Sequence, residues 1–311
     1  MSSFWVFPGQ GAQQAGMLHQ LPDSSVVQGC LREAAEVLGE DVLALDSMSA
    51  LQSTRSVQLC LLIAGVACAR MLQQHGGRPD YVAGLSIGAY PAAVMAGALA
   101  FEDALGLVAL RGELMQNAYP EGYGMTAIIG LDQASIEAAI TRIHSQATPV
   151  FLANINAENQ CVIAGSLPAM EQVGLLARIA GAATVKRLAV SVPSHCALLE
   201  KPAQALADAF ASVRLEVPKV RYLSGSTARP ILNVEKLRDD LAFNMCRVID
   251  WRSTVQTAYE RGVRLQIELP PGIVLTGLAR KVFEQGTAVA FQGARLDSLV
   301  ALSREEGTRH P

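Results

Sequence analysis

Between Ser56 and Gln74 the chain is apolar on nearly every side of a helix, and Arg70 is its only charged residue. Such a helix has no face to give to water and has to be covered all round. Its longest uncharged run, Leu59 to Ala69, falls short of the roughly 20 residues that cross a bilayer. What remains is a helix inside a layered α/β structure, ended by Gly76-Gly77. The chain has the material for that core: of its 311 residues, 50% are hydrophobic and 17% charged. A net charge of -3 gives no electrostatic case for nucleic acid or an anionic membrane as partner. Six scattered cysteines, with no C-x-x-C pair, no metal-ligand spacing and no secretory signal ahead of them, predict free thiols in the cytoplasm.

Strands and helices alternate around that helix. Phe4 to Phe7 reads as a buried strand broken by Pro8-Gly9-Gln10-Gly11, and Tyr81 to Ala83 as a second. Pro91–Ala100 and Phe101–Ala118 read as helices, the latter closed by Pro120-Glu-Gly122. This order predicts a mostly parallel sheet with covered faces. The middle reads differently: strand Gly124–Leu131, helix Gln133–Ser145, strands Val150–Asn154 and Gln160–Ala164, helix Pro168–Ile179 and strand Ala183–Val190. That βαββαβ order is the ferredoxin-like unit. In the turn between the paired strands, Asn159 is expected to supply a left-handed conformation. The predicted organisation is α/β: a body of residues 1–122 and 192–311, with a small ferredoxin-like subdomain at 123–191. Ser303 to Pro311 reads as a loose polar tail.

Gly84-Leu-Ser86-Ile-Gly88 follows the second strand. A G-x-S-x-G sequence there suits a tight strand-to-helix turn that exposes a serine hydroxyl, though a small residue at a plain turn reads the same way. A serine nucleophile also needs a base and an oxyanion site. Of five histidines, His195 lies where the small subdomain returns the chain to the body, and clefts form at such junctions. By itself His195 is equally well a structural histidine.

Four separated segments resemble those of malonyl-CoA:acyl carrier protein transacylases: Phe7-Pro-Gly-Gln-Gly11, Gly84-Leu-Ser-Ile-Gly88, Arg111-Gly-Glu-Leu-Met-Gln116 and Val192-Pro-Ser-His-Cys-Ala197. Gly124-Met-Thr-Ala127, Ala153-Asn-Ile-Asn156, Val162-Ile-Ala-Gly165 and Pro271-Gly-Ile-Val-Leu-Thr-Gly277 add to the likeness, which covers almost the whole chain in order. The fold it implies, an α/β-hydrolase-like body with a ferredoxin-like insert, agrees with the order of elements.

The resemblance implies that Ser86 attacks the malonyl thioester while His195 takes its proton. The backbone N–H groups of Gln10 and Ile87 would hold the oxyanion, and Arg111 would grip the free malonyl carboxylate. The guanidinium suits that task because it offers two parallel charge-assisted bonds; the plain alternative is a surface arginine paired with Glu113. The family orients its histidine through a backbone carbonyl, here that of Asn244, where glutamine is usual. Gln58, Met125, Asn154 and Asn156 are expected to line or buttress the cleft, with its width set near Val192 and Ser194. No metal and no permanent cofactor are implied. The partners are malonyl-CoA and the thiol of an acyl carrier protein, and a cytoplasmic location follows.

Leu85, Ala89 and Pro270 depart from the fatty-acid-synthesis pattern. Gly84 to Val94, with Thr54-Arg-Ser-Val-Gln-Leu59, is more similar to the malonyltransferase (epsilon) subunit of biotin-independent malonate decarboxylase. That likeness implies a decarboxylase carrier subunit as acceptor, with other malonate decarboxylase subunits as partners. The alternatives are a malonyl-CoA:ACP transacylase of fatty-acid or polyketide synthesis, a serine thioesterase, and a non-catalytic acyl-binding scaffold.

Overall fold

The structure is a computed structural model describing residues 2–119 and 121–308. Its strands, in chain order, are β1 (Ser2–Phe7), β2 (Tyr81–Gly84), β3 (Tyr123–Ile129), β4 (Val150–Ala157), β5 (Gln160–Ser166), β6 (Thr184–Arg187), β7 (Arg221–Leu223), β8 (Pro230–Ile231), β9 (Ile249–Asp250), β10 (Val263–Glu268) and β11 (Thr287–Ala290). One sheet runs β11-β10-β1-β2-β7-β8, parallel except for the last pair. Phe4 to Phe7 at its centre are wholly buried, because helices cover both faces of a parallel sheet and leave no side for polar residues.

The second sheet runs β6-β3-β5-β4-β9. Its first four strands pair antiparallel in the ferredoxin-like order. β9 comes from much later in the chain and joins β4 in parallel, tying this sheet to the body.

Helix Thr54–Gln74 is long and apolar enough to cross a membrane by length and composition, yet 89% of its most apolar window is buried inside the protein. It is the core helix that its pattern predicts. Helix Phe101–Ala118 lies against it so closely that a Cβ at Gly112 would sit 2.4 Å from the Arg55 Cα. That approach brings Arg111 within reach of Gln58.

Several predicted spans change. The helix expected at 91–100 is Ala89–Met95. The chain turns at Gly97 (φ 68°) while Ala96, Ala98 and Leu99 stay buried, so a buried turn imitates an apolar helix in sequence. The strand expected at 183–190 ends at Arg187, beyond which the chain leaves the sheet edge. Asn159 does not take a positive φ; the hairpin closes without it. Of the tail expected at 303–311, residues 303–308 belong to helix Leu296–Thr308, which packs Leu299 and Val300 into the core. Pro120 and residues 309–311, His310 among them, lie outside the described residues.

Candidate active site

The turn after β2 is built by close backbone contact. A Cβ at Gly84 would fall 1.8 Å from the Gly88 carbonyl carbon, and one at Gly88 would fall 2.2 Å from the Phe7 carbonyl oxygen. Leu85 N–H donates to Phe7 O (3.0 Å) and Gly88 N–H to Leu85 O (3.0 Å). Held between these contacts, Ser86 takes φ 58°. A left-handed conformation in a non-glycine residue costs on the order of 1–3 kcal/mol and persists only where the surroundings impose it.

His195 also has a positive φ, 65°. Its N–H donates to Met245 O (2.7 Å), and its Nδ1 pairs with Asn244 O at 2.7 Å. A backbone carbonyl only accepts, so Nδ1 carries the proton and Nε2 is left as the basic nitrogen. Burial drives the ring's pKa down to about 4, against the upward pull of that carbonyl and with a smaller downward push from Arg111. At neutral pH the imidazole is uncharged, as a general base must be.

Ser86, His195, Gln10, Met125, Asn154 and Asn156 line one cleft of about 100 Å³ between the two sheets. Ser194 lines it too, whereas Val192 is buried and does not reach the lining. Gln58, Ile87, Arg111 and Asn244 stand behind the wall, all nearly or wholly buried. A larger cavity of about 580 Å³ adjoins this cleft, sharing Gln10, Leu188 and Val190 with it.

Arg111 is not a surface residue paired with Glu113, which instead meets Arg55. It is 0% exposed. Nη1 donates to Gln58 Oε1 (2.7 Å), and Nη2 donates to Ser86 Oγ (3.2 Å) and Asn244 Oδ1 (3.1 Å). Nε has no partner, and the Tyr90 ring lies 5.9 Å from the guanidinium carbon. Burial lowers its pKa to about 10, which leaves it charged at neutral pH. Each of its hydrogen-bond partners among the described residues is neutral. A buried cation without an anion is expensive, and the arrangement fits a site completed by an anionic ligand.

Met115, Val162, Leu188 and Val190 also line the cleft and escaped the sequence reading. Met115 carried a usable signal, standing four residues after Arg111 on one helix and so on the same face. Asp250 and Glu268, two acids C-terminal to Asn244, are structural: Asp250 accepts from the Ser253 N–H and Glu268 from the Leu275 and Thr276 N–H groups, each at a helix start. Among the described residues no group of three or more His, Cys, Asp or Glu is placed to hold a metal.

An acyl transferase domain model matches residues 4–308. The malonyl CoA-acyl carrier protein transacylase of Escherichia coli (strain K12) is 40% identical over 292 residues, covering 92% of this chain and 94% of that protein. Its Haemophilus influenzae counterpart is 37% identical over 284 residues, covering 89% and 91%. Among solved structures, FabD from Acinetobacter baumannii aligns with a TM-score of 0.92 at 34% identity over 98% of this chain and 99% of that one. A malonyl-transacylase in complex with its type II PKS acyl-carrier protein aligns with a TM-score of 0.91 at 38% identity, over 98% and 100%. With a strained G-x-S-x-G turn, a neutral imidazole and a buried guanidinium on a fold shared along the whole chain, the protein belongs to the malonyl-CoA:acyl carrier protein transacylase family.

Proposed function

We propose that the protein moves malonyl from malonyl-CoA to the prosthetic-group thiol of an acyl carrier protein through a malonyl-Ser86 ester. The observation that carries this is Arg111, a buried cation with neutral partners within hydrogen-bond reach of the Ser86 hydroxyl. In this reading the malonyl carboxylate supplies the missing anion through paired charge-assisted bonds. His195 takes the Ser86 proton as the hydroxyl oxygen bonds to the thioester carbonyl carbon. The backbone N–H groups of Gln10 and Ile87 hold the oxyanion, which collapses as the CoA thiolate leaves and is protonated by His195. The carrier thiol then repeats these steps in reverse, and no permanent cofactor takes part. Gln58, Asn244, Met125, Asn154 and Asn156 support the site. The division into a 1–122 and 192–311 body with a 123–191 subdomain belongs to the same proposal, as does a cytoplasmic setting, in keeping with six unpaired cysteines.

Relatives that are malonyl CoA-acyl carrier protein transacylases, one of them solved with a type II PKS carrier, support a carrier of fatty-acid or polyketide synthesis as acceptor. The malonate decarboxylase carrier rests on the segments Gly84 to Val94 and Thr54 to Leu59 alone. Incubation with malonyl-CoA and no carrier, followed by mass spectrometry, is expected to show one malonyl group on Ser86 and none on Ser86→Ala. Rapid release of free malonate without a lasting adduct would point to a thioesterase instead. Transfer to a phosphopantetheine carrier, compared with a decarboxylase carrier, then identifies the acceptor.

A further inference from the structure

Asn244 caps helix Val234–Phe243 and opens the short turn Asn244–Cys246. Its main-chain oxygen holds the His195 ring at 2.7 Å, while its side-chain oxygen takes a hydrogen bond from Arg111 at 3.1 Å. Its amide nitrogen lies 3.5 Å from the carbonyl oxygen of Ser86. The helix end bearing it is held firmly. Tyr90 Oη donates to Leu241 O (3.0 Å), and Tyr222 Oη (2.7 Å) and Ser224 Oγ (2.5 Å) both donate to the buried Asp240.

We propose that the Asn244 side chain is a positioning residue for Arg111, and thereby helps set which acyl group the site accepts, independently of what its carbonyl does for His195. The inference rests on the reading of Arg111 as the carboxylate clamp. Two carboxamides, those of Gln58 and Asn244, fix the two terminal nitrogens of the guanidinium. Because both anchors are neutral, they orient the cation without cancelling its charge. An incoming carboxylate displaces only the Ser86 hydroxyl from Nη2 and finds the fork already aimed. This preorganisation removes the cost of ordering a long side chain when substrate binds.

The test compares kcat/KM for malonyl-CoA and acetyl-CoA in wild type, Asn244→Ala and Asn244→Asp. Both values come from one preparation, so partial loss of folded protein cancels in their ratio, and aspartate keeps the shape of asparagine. For Asn244→Ala the malonyl-to-acetyl ratio is expected to fall about tenfold, chiefly through malonyl-CoA KM. For Asn244→Asp it is expected to fall further, about a hundredfold, since a carboxylate at that position pairs with the cation and competes with substrate. The acidic limb of the acetyl-CoA pH profile should stay in place in Asn244→Ala, because the carbonyl that holds His195 remains. Ratios within twofold of wild type in both variants overturn the inference, as does a displaced acidic limb with an unchanged ratio. A wild-type enzyme without malonyl preference overturns the reading of Arg111 itself, and the inference with it.

Discussion

Arg111 donates a hydrogen bond from Nη2 to Ser86 Oγ across 3.2 Å, so the guanidinium and the Ser86 hydroxyl are direct partners. Replacing Arg111 therefore removes more than a distant charge. Arg111→Ala is expected to lower kcat/KM for malonyl-CoA by about tenfold to a hundredfold or more, the equivalent of a hydrogen bond to a charged group at roughly 1.5–3 kcal/mol. Acetyl-CoA should lose far less. Arg111→Lys should rescue little, because an ammonium cannot reproduce the fork. Parallel steady-state assays with the two thioesters decide it, and an equal loss on both would contradict the clamp.

The pH dependence follows from His195. Its pKa is lowered to about 4 by burial, so the ring stays neutral well below the ordinary value of about 6.5. The acidic limb of kcat/KM for acetyl-CoA, which lacks a free acyl carboxylate, should accordingly lie near pH 4. Stability responds with a definite sign. Between the two pKa values the unfolded chain binds a proton that the folded chain refuses, so this group's contribution is complete above about pH 6.5 and lost as pH falls towards 4. Denaturant titrations across that window should show stability declining, and His195→Gln should flatten part of the slope.

Two glycines make opposite predictions. Gly84→Ala drives a Cβ into the Gly88 backbone at 1.8 Å, where no flexible side chain can yield. The turn that carries Ser86 should fail, with a loss of more than about 4 kcal/mol or no soluble protein. Gly106 sits exposed in helix Phe101–Ala118 with nothing within 4 Å of its added Cβ. Gly106→Ala should raise stability by about 0.4–1 kcal/mol, read from the urea midpoint.

Tyr222 supports the site from outside it. Its hydroxyl is one of two that satisfy the buried Asp240 carboxyl, one turn before Asn244. Tyr222→Phe should cost about 1–3 kcal/mol in chemical denaturation, the penalty for an unmet buried acceptor.

The legible parts of this chain are those where local sequence and tertiary role agree. Helix Phe101–Ala118 spans the residues that its pattern indicates, with Glu102 and Asp103 suited to its first turn. The turn at Ser86 is legible from its flanking glycines, whereas a role for its hydroxyl is legible only with the other family-like segments. His195, Gln58 and Asn244 carry no such local mark. They are legible only through the family resemblance, since their partners in the site are 49 to 158 residues away, as in His195 with Asn244 and Asn244 with Ser86. Leu188 and Val190 read as strand because alternation continues past Arg187; regular pairing ends there, and although Leu188 N–H still bonds Met125 O (3.0 Å), both residues wall the cleft. The second half was the least readable, with strands such as Pro230–Ile231 and Ile249–Asp250 too short to show any period.

One of those brief strands has a mechanical meaning. β9 stitches the edge of the small sheet to a segment that begins, five residues earlier, with the carbonyl gripping the His195 imidazole. The small sheet and the His195 ring are thereby both attached to one short stretch of main chain. On the proposed mechanism the seam is expected to serve as a tether, linking the width of the entrance to the aim of the base.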